Sequence, residues 1–389
     1  MSHRPLFFLV AGETSGDIHA ANLICELRRL CPQARFAGLG GPRMAQAGCE
    51  ILYDLVSNLA IMLLLSVFTN LRSILRARKI ALDFIDANAP DLVILIDFPG
   101  FNLNLARQLR KRRVRVAYYI LPQVWAWSAR RWRKLRDRTH QRLAILPFEK
   151  TWHEAKGLSV DYVGHPLYDH LAGVRVEDDL RARIAAPPEV RLLGLLPGSR
   201  RVEFLSTLPL MLKIARAVLD KLPETRVLIA PLPGLPDNTI RKAAQRSRVP
   251  LTILPESTYG IMKCADLCLV ASGTATLELA FFETPMIVLY RVSPFMRLVG
   301  LLLLRVPHIA LVNLVAGKQA VPEYLVWIDG VRPIAGQAVR LLTDDPSREA
   351  ALCAIREVNR KTGGLPGATA RAAQLLAAPF LDEGSRPPR

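Results

Sequence analysis

Four short segments combine small residues with hydroxyls or charges in the way that anion and sugar sites require. The first, Ala11-Gly12-Glu13-Thr14-Ser15-Gly16-Asp17, follows the apolar run Leu6–Val10 and opens a helical stretch. Gly12, Ser15 and Gly16 let backbone N–H groups approach a ligand, and Glu13 and Asp17 bring carboxylates to the same helix start. A plain capping role for Ser15 or Asp17 accounts for the same residues. The segment is neither G-x-G-x-x-G nor a P-loop, which argues against a dinucleotide or ATP. The second, Asp97-Phe98-Pro99-Gly100-Phe101-Asn102, follows Leu92–Ile96. A carboxylate held at the end of a buried strand by a rigid Pro-Gly turn is placed for general-base work, with a helix-capping turn Asp as the alternative. The third, Pro197-Gly198-Ser199-Arg200-Arg201, is cationic and suits a diphosphate, since backbone donors and a guanidinium come together. The fourth, Ser272-Gly273-Thr274-Ala275-Thr276-Leu277-Glu278, places a carboxylate one turn into a helix, where it can accept from a ribose diol. Taken together, these segments look like a nucleotide-sugar site facing an acceptor site.

The elements that must hold these loops follow an α/β rhythm of short apolar run, turn, then 3.6-period stretch. Strands are expected at Leu6–Val10, Arg35–Gly38, Leu92–Ile96, Val114–Ile120, Leu143–Leu146 and Val160–Val163, and again at Leu192–Leu196, Arg226–Ala230, Leu251–Leu254, Leu267–Val270 and Met286–Leu289. Continuous apolar strands mean parallel sheets covered on both faces. Two Rossmann-like, doubly wound domains are therefore expected, over residues 1–170 and 190–380, with a linker near Asp169–Val190 and strand ends facing a central cleft. The tail from Asp382 reads as disordered.

Lys and Arg number 52 against 34 Asp and Glu, and 51 % of residues are hydrophobic. A net charge of +18 on so apolar a chain points to an anionic partner, either a phospholipid surface or nucleic acid. Cys25, Cys31, Cys49, Cys264, Cys268 and Cys353 form no C-x-x-C pair, so no metal site is expected and the thiols suit a reducing, cytosolic setting. The runs Leu55–Leu71 and Phe295–Val306 fall short of the roughly 20 residues of a spanning helix. Leu64, Phe68, Phe295 and Leu298 are instead expected to touch a membrane surface, helped by the basic residues of 110–115 and 130–138. A solvated helix face is the other explanation for those basic residues. Trp125 and Trp127 are expected on one side of an extended stretch, packing at a domain interface.

The ordered series Gly12-Glu13-Thr14-Ser15-Gly16-Asp17, Gly41-Pro42-Arg43-Met44, Pro122-Gln123-Val124-Trp125-Ala126-Trp127, Leu146-Pro147-Phe148-Glu149, Gly164-His165-Pro166, Leu196-Pro197-Gly198-Ser199-Arg200, Ser272 to Glu278 and Pro285-Met286 to Tyr290-Arg291 resembles the lipid-A-disaccharide synthase family. The resemblance implies a GT-B fold, no metal or other cofactor, and an inverting transfer in lipid A biosynthesis. UDP-2,3-diacylglucosamine and 2,3-diacylglucosamine 1-phosphate would be joined by a β-1,6 bond with release of UDP, at the inner face of the inner membrane. Asp97 is then the expected base, with Glu13 and Asp17 as substitutes. Gly198, Ser199, Arg200, Ser272, Gly273, Thr274, Ala275, Glu278 and Asn313 are expected at UDP, and Ser15, Gly16, Asn102, Gln123 and His165 at the acceptor, His165 having a hinge role as its alternative. The chain departs from the family pattern at Leu63 and Ser66, where Gly and Glu are usual, at Val312, and at Lys318-Gln319.

Rival readings are a divergent relative acting on another UDP-GlcNAc-type sugar, such as a peptidoglycan-type transferase or an epimerase, and a non-catalytic lipid-binding protein. The Gly12–Asp17 loop stands where the peptidoglycan enzyme would carry a Gly-rich repeat. No nucleic-acid module is recognisable, so nucleic acid is not an expected partner. The oligomeric state is left open.

Overall fold

The computed structural model describes residues 4–62, 67–127, 131–174, 176, 180–291, 308–326, 330–362 and 366–381. The chain divides into two compact units, Met1–Asp169 with Leu365–Arg389, and His170–Gly364.

The first unit is built on parallel strands β1 (Leu6–Ala11), β2 (Arg35–Gly40), β3 (Glu50–Asp54), β4 (Leu92–Ile96), β5 (Val116–Tyr119), β6 (Gln141–Ala144) and β7 (Asp161–Tyr162). Their order across the sheet is β3-β2-β1-β4-β5-β6-β7. Every residue of β1 and β4 is buried, as a strand covered by helices on both faces requires. The second unit repeats the plan with β8 (Leu192–Leu196), β9 (Arg226–Ile229), β10 (Leu251–Ile253), β11 (Leu267–Ala271), β12 (Met286–Arg291) and β13 (Glu323–Val326), in the order β10-β9-β8-β11-β12-β13.

In both sheets the chain winds outward in opposite directions from a central pair, β1/β4 and β8/β11. Connections after such a pair lead to opposite sides and leave a crevice at the carboxyl ends of the strands. The four chemically loaded loops of the sequence follow β1, β4, β8 and β11, so each unit carries two of them at its switch point.

The C-terminal boundary expected from the sequence is corrected. Residues 366–381, expected within the second domain, belong to the first unit, where helix Ala368–Leu381 packs on helix Thr14–Leu30. Phe380 meets Phe7 edge-on at 5.2 Å. Asp169 caps the start of this helix, accepting from Ala368 N (3.0 Å), Thr369 N (2.8 Å) and Thr369 Oγ1 (2.6 Å). A carboxylate there satisfies donors that the first turn leaves open. The expected linker also contains the end of helix Pro166–Gly173 and the short helix Leu180–Arg183. The tail from Asp382 lies outside the described residues.

Candidate active site

Asp97 and Phe98 end β4 with consecutive positive φ angles of 45°. Two non-glycine residues in the left-handed region form a strained turn, which persists only when its surroundings enforce it. Here Tyr118 Oη and Asn102 Nδ2 both donate to the Asp97 carbonyl, the latter at 2.8 Å, and Asn102 Nδ2 also reaches the Ile96 carbonyl at 3.1 Å. Asn102 is fully buried. Its expected acceptor role is therefore corrected: it locks the turn that aims Asp97.

The turn after β4 is packed against the loop after β1. A Cβ at Gly12 would lie 2.2 Å from the Phe98 ring, so only glycine allows this approach. Glu13, exposed at the N-cap of helix Thr14–Leu30, stands close enough for its charge to act on Asp97. Burial and then the Glu13 charge push the Asp97 carboxyl up to about 6, opposed by a hydrogen bond from the Phe98 N–H. Such a carboxylate is ionised at neutral pH yet basic enough to take a proton. Ser15 is exposed on the same helix start, and Gly16 is buried beside Ala11.

Asp17 does not join this site. Its Oδ1 accepts from Gly41 N (3.0 Å) and Met44 N (3.1 Å), and its Oδ2 from Arg43 N (3.0 Å). It caps helix Pro42–Gln46, and a Cβ at Gly41 would come within 2.5 Å of Oδ2. The substitute-base role is corrected accordingly, since both oxygens face backbone donors in a nearly dry pocket. Asp17→Ala is expected to lower stability by about 2–4 kcal/mol, the effect of leaving charge-bonded backbone donors unmet. Urea unfolding of wild type and variant measures it, and an unchanged midpoint would show the cap to be dispensable.

Asp97 opens on a cavity of about 350 Å³. Its lining includes Gln123, Arg131 and Glu149, with Leu103, Ile120 and Leu121 among its apolar walls. Gln123 is exposed there.

Glu149 is the site residue that sequence reasoning missed. It is 1 % exposed and accepts from Trp125 Nε1 at 3.1 Å and from Leu146 N at 3.2 Å. Burial pushes it up to about 7, and the Asp97 charge adds to the rise. The signal lay in the Leu146–Glu149 motif, where Glu149 sits at the third position of helix Pro147–Glu154 as in a capping box. Trp125, expected on an extended stretch, lies in the short helix Val124–Trp127 with its ring edge-on to Phe148 at 4.9 Å.

His165 is buried and pushed down to about 3, first by burial and then by the nearby His19, so it is neutral. Its Nδ1 accepts from Leu167 N at 3.2 Å, which caps helix Pro166–Gly173.

In the second unit, Gly198 takes φ 124°, a value that favours glycine, and Ser199 and Arg200 are exposed at the start of helix Arg201–Leu219. The side chain of Glu203, one turn in, accepts from the backbone N–H groups of Arg200 and Ser199. Those donors, expected to meet a diphosphate, are taken up by Glu203, on whose carboxylate the charge of the exposed Arg200 also acts. Across the switch point, Ser272, Gly273 and Ala275 are half-buried and Thr274 is exposed. Burial pushes Glu278 up to about 7, and its charge is felt by Tyr259.

Asn313 is not available to a nucleotide. It is fully buried, with Nδ2 donating to Val321 O at 3.0 Å and Oδ1 accepting from Val321 N at 2.9 Å, and this pair closes the chain between helix Leu311–Ala316 and β13. Its expected place at UDP is corrected. Leu64, Phe295, Leu298 and the side chain of Phe68 lie outside the described residues, as does the helix expected near 295–304.

Comparison with known proteins places this architecture. The calicheamicin glycosyltransferase CalG4 shares the fold with a TM-score of 0.59 at 16 % identity, covering 99 % of this chain and 100 % of that one. UDP-GlcNAc 2-epimerase from Neisseria meningitidis does so with a TM-score of 0.58 at 13 % identity, covering 98 % and 100 %. These likenesses establish the two-domain GT-B fold. The family model for lipid-A-disaccharide synthetase matches residues 7–373. The lipid-A-disaccharide synthase of Geobacter sulfurreducens is 37 % identical over 362 residues, covering 93 % of this chain and 94 % of that protein. With the motif-bearing loops held at the switch points of two parallel sheets and identity running along nearly the whole chain, the protein belongs to the lipid-A-disaccharide synthase family of glycosyltransferases.

Proposed function

We propose that the protein joins UDP-2,3-diacylglucosamine to 2,3-diacylglucosamine 1-phosphate with inversion, giving the β-1,6-linked disaccharide 1-phosphate and UDP. The observation that carries the reading is a strained, locked and partly desolvated Asp97 opening on a cavity in a chain of this family. Asp97 takes the proton of the acceptor's 6-hydroxyl while that oxygen attacks the anomeric carbon from the side opposite the diphosphate. The new C–O bond forms as the bond to the diphosphate breaks. Arg200 meets the charge that develops on the departing diphosphate, and Glu278 accepts from the ribose hydroxyls. Glu13 stays beside Asp97 and raises its basicity. The first unit thus serves the acceptor and the second the UDP-sugar. Purified protein given both lipids and scored for UDP release tests the reading, and absence of release with that pair overturns it.

Both substrates carry acyl chains, so the reading includes peripheral attachment to an anionic leaflet at the inner face of the inner membrane. Among the described residues no helix is long and apolar enough to cross a membrane. Attraction of about 1 kcal/mol per well-placed cation supports a surface-bound state for a chain of charge +18. Flotation with acidic vesicles is expected to weaken at high salt, and to fall when Leu64 and Phe68 are both changed to Ser while UDP affinity is kept. Protein that stays in the soluble fraction at low salt refutes this attachment.

A further inference from the structure

The cavity at Asp97 holds an arrangement that base catalysis alone does not call for. Asp97 and Glu149 supply two carboxylates, and Arg131 supplies a guanidinium to the same lining. Arg131 immediately precedes helix Trp132–Arg138 and is exposed. Three of its arginine neighbours are engaged elsewhere. Arg136 pairs with Asp137 at 2.9 Å and lies over the Trp132 ring at 5.2 Å, Arg133 lies over the same ring at 6.0 Å, and Arg138 donates to the Leu103 carbonyl at 2.7 Å. Among the described residues of this basic stretch, Arg131 is the one that lines the cavity.

The size of the space limits what it receives. About 350 Å³ is at the lower end of small-molecule sites, which run from about 300 to 1,000 Å³. A single sugar head group suits a space of that size. The Asp97 carboxylate, with the buried Glu149 behind it, would repel an anionic head group unless a cation in the same lining met its charge. A ligand carrying a hydroxyl at one end and an anion at the other satisfies both needs.

We propose that Arg131 is the specificity residue of this cavity, pairing with the phosphate of the acceptor sugar while Asp97 faces its hydroxyl. The inference rests on the reading of the first unit as the acceptor side, and it adds what selects a phosphorylated acceptor over a neutral one. A guanidinium binds a phosphate through two parallel donors, which lysine cannot reproduce.

The test compares wild type with Arg131→Gln and Arg131→Lys on two acceptors, 2,3-diacylglucosamine 1-phosphate and the same lipid without the phosphate. Wild type is expected to favour the phosphorylated acceptor in kcat/KM. In Arg131→Gln the KM for that acceptor should rise roughly 10- to 150-fold, the range for loss of a charge-assisted hydrogen bond. The preference should then collapse toward unity, with partial recovery in Arg131→Lys. UDP affinity should stay unchanged in all three, which also verifies folding. Equal preference in wild type and Arg131→Gln, or no preference in wild type, overturns the proposal.

Head-group binding separates this from the wider reading. With glucosamine 1-phosphate and glucosamine as soluble probes, phosphate-dependent binding in wild type that is lost in Arg131→Gln supports the subsite even if no transfer is observed. Its absence in wild type overturns the subsite even if transfer is observed.

Discussion

Asp97→Asn is expected to reduce turnover by roughly 100-fold or more while leaving UDP affinity unchanged, the scale on which a lost general base shows. The amide keeps the shape of the carboxylate and can still accept from the Phe98 N–H, so the locked turn should survive. Near-normal turnover in the variant would move the role to Glu13, the remaining exposed carboxylate beside the turn. The pH dependence follows from the same environment. With the carboxyl pushed up to about 6, wild-type turnover should decline as pH falls through that value, because the protonated form cannot accept.

Stability should run the other way. A group whose folded pKa is raised contributes stability below its unfolded value and loses it as pH rises through the folded value. For Asp97 this window extends from the usual carboxylate range up to about 6, so Asp97→Asn should gain stability relative to wild type across it. Denaturant unfolding at pH 4 and pH 7 reads the difference, and a gap that stays constant between them would contradict the burial of this charge. Holding a base ready for proton transfer thus costs the fold something in the pH range where the base works.

Arg200→Ala is expected to weaken UDP by roughly 10- to 150-fold, from about 1.5–3 kcal/mol for a charge-assisted bond to a phosphate. The expectation is sharper for this side chain than for its loop, because Glu203 already occupies the backbone donors of Ser199 and Arg200. Glu278→Gln should also weaken UDP, through the ribose. Since burial pushes Glu278 up to about 7, wild-type affinity should decline below that pH, where the proton competes with the ribose hydroxyls, and the dependence should vanish in the variant. Calorimetric titration with UDP at pH 6 and pH 8 measures both effects. Unchanged affinity in both variants would place the nucleotide in the other half of the chain.

Much of the scaffold was legible in the sequence, for a reason visible in the sheets. Strands covered on both faces must be apolar throughout, and Leu92–Ile96 and Leu192–Leu196 matched expectation to the residue. The two strands that escaped, Glu50–Asp54 and Glu323–Val326, are sheet edges and mostly half-buried, so their short mixed runs carry a weak signal. The loops of small residues, hydroxyls and charges were equally legible, because a backbone that must approach a ligand has few residue types to choose from.

What each polar side chain in or near those loops does was decided by the tertiary structure. Asp17 and Asp97 look alike as carboxylates in turn motifs. One meets the backbone donors of residues 41–44 and becomes a cap, while the other ends in a cavity with its carbonyl held by Tyr118 and Asn102. Asn313 closes on Val321, Glu149 meets Trp125, and the last described helix returns to the first unit under the cap of Asp169. Sequence alone determined the residue types, the rhythm of strand and helix, and the strand ends at which chemistry is placed. Only the fold decided which donors face which acceptors, because a hydrogen bond or a desolvated charge depends on partners that chain folding brings together from distant positions.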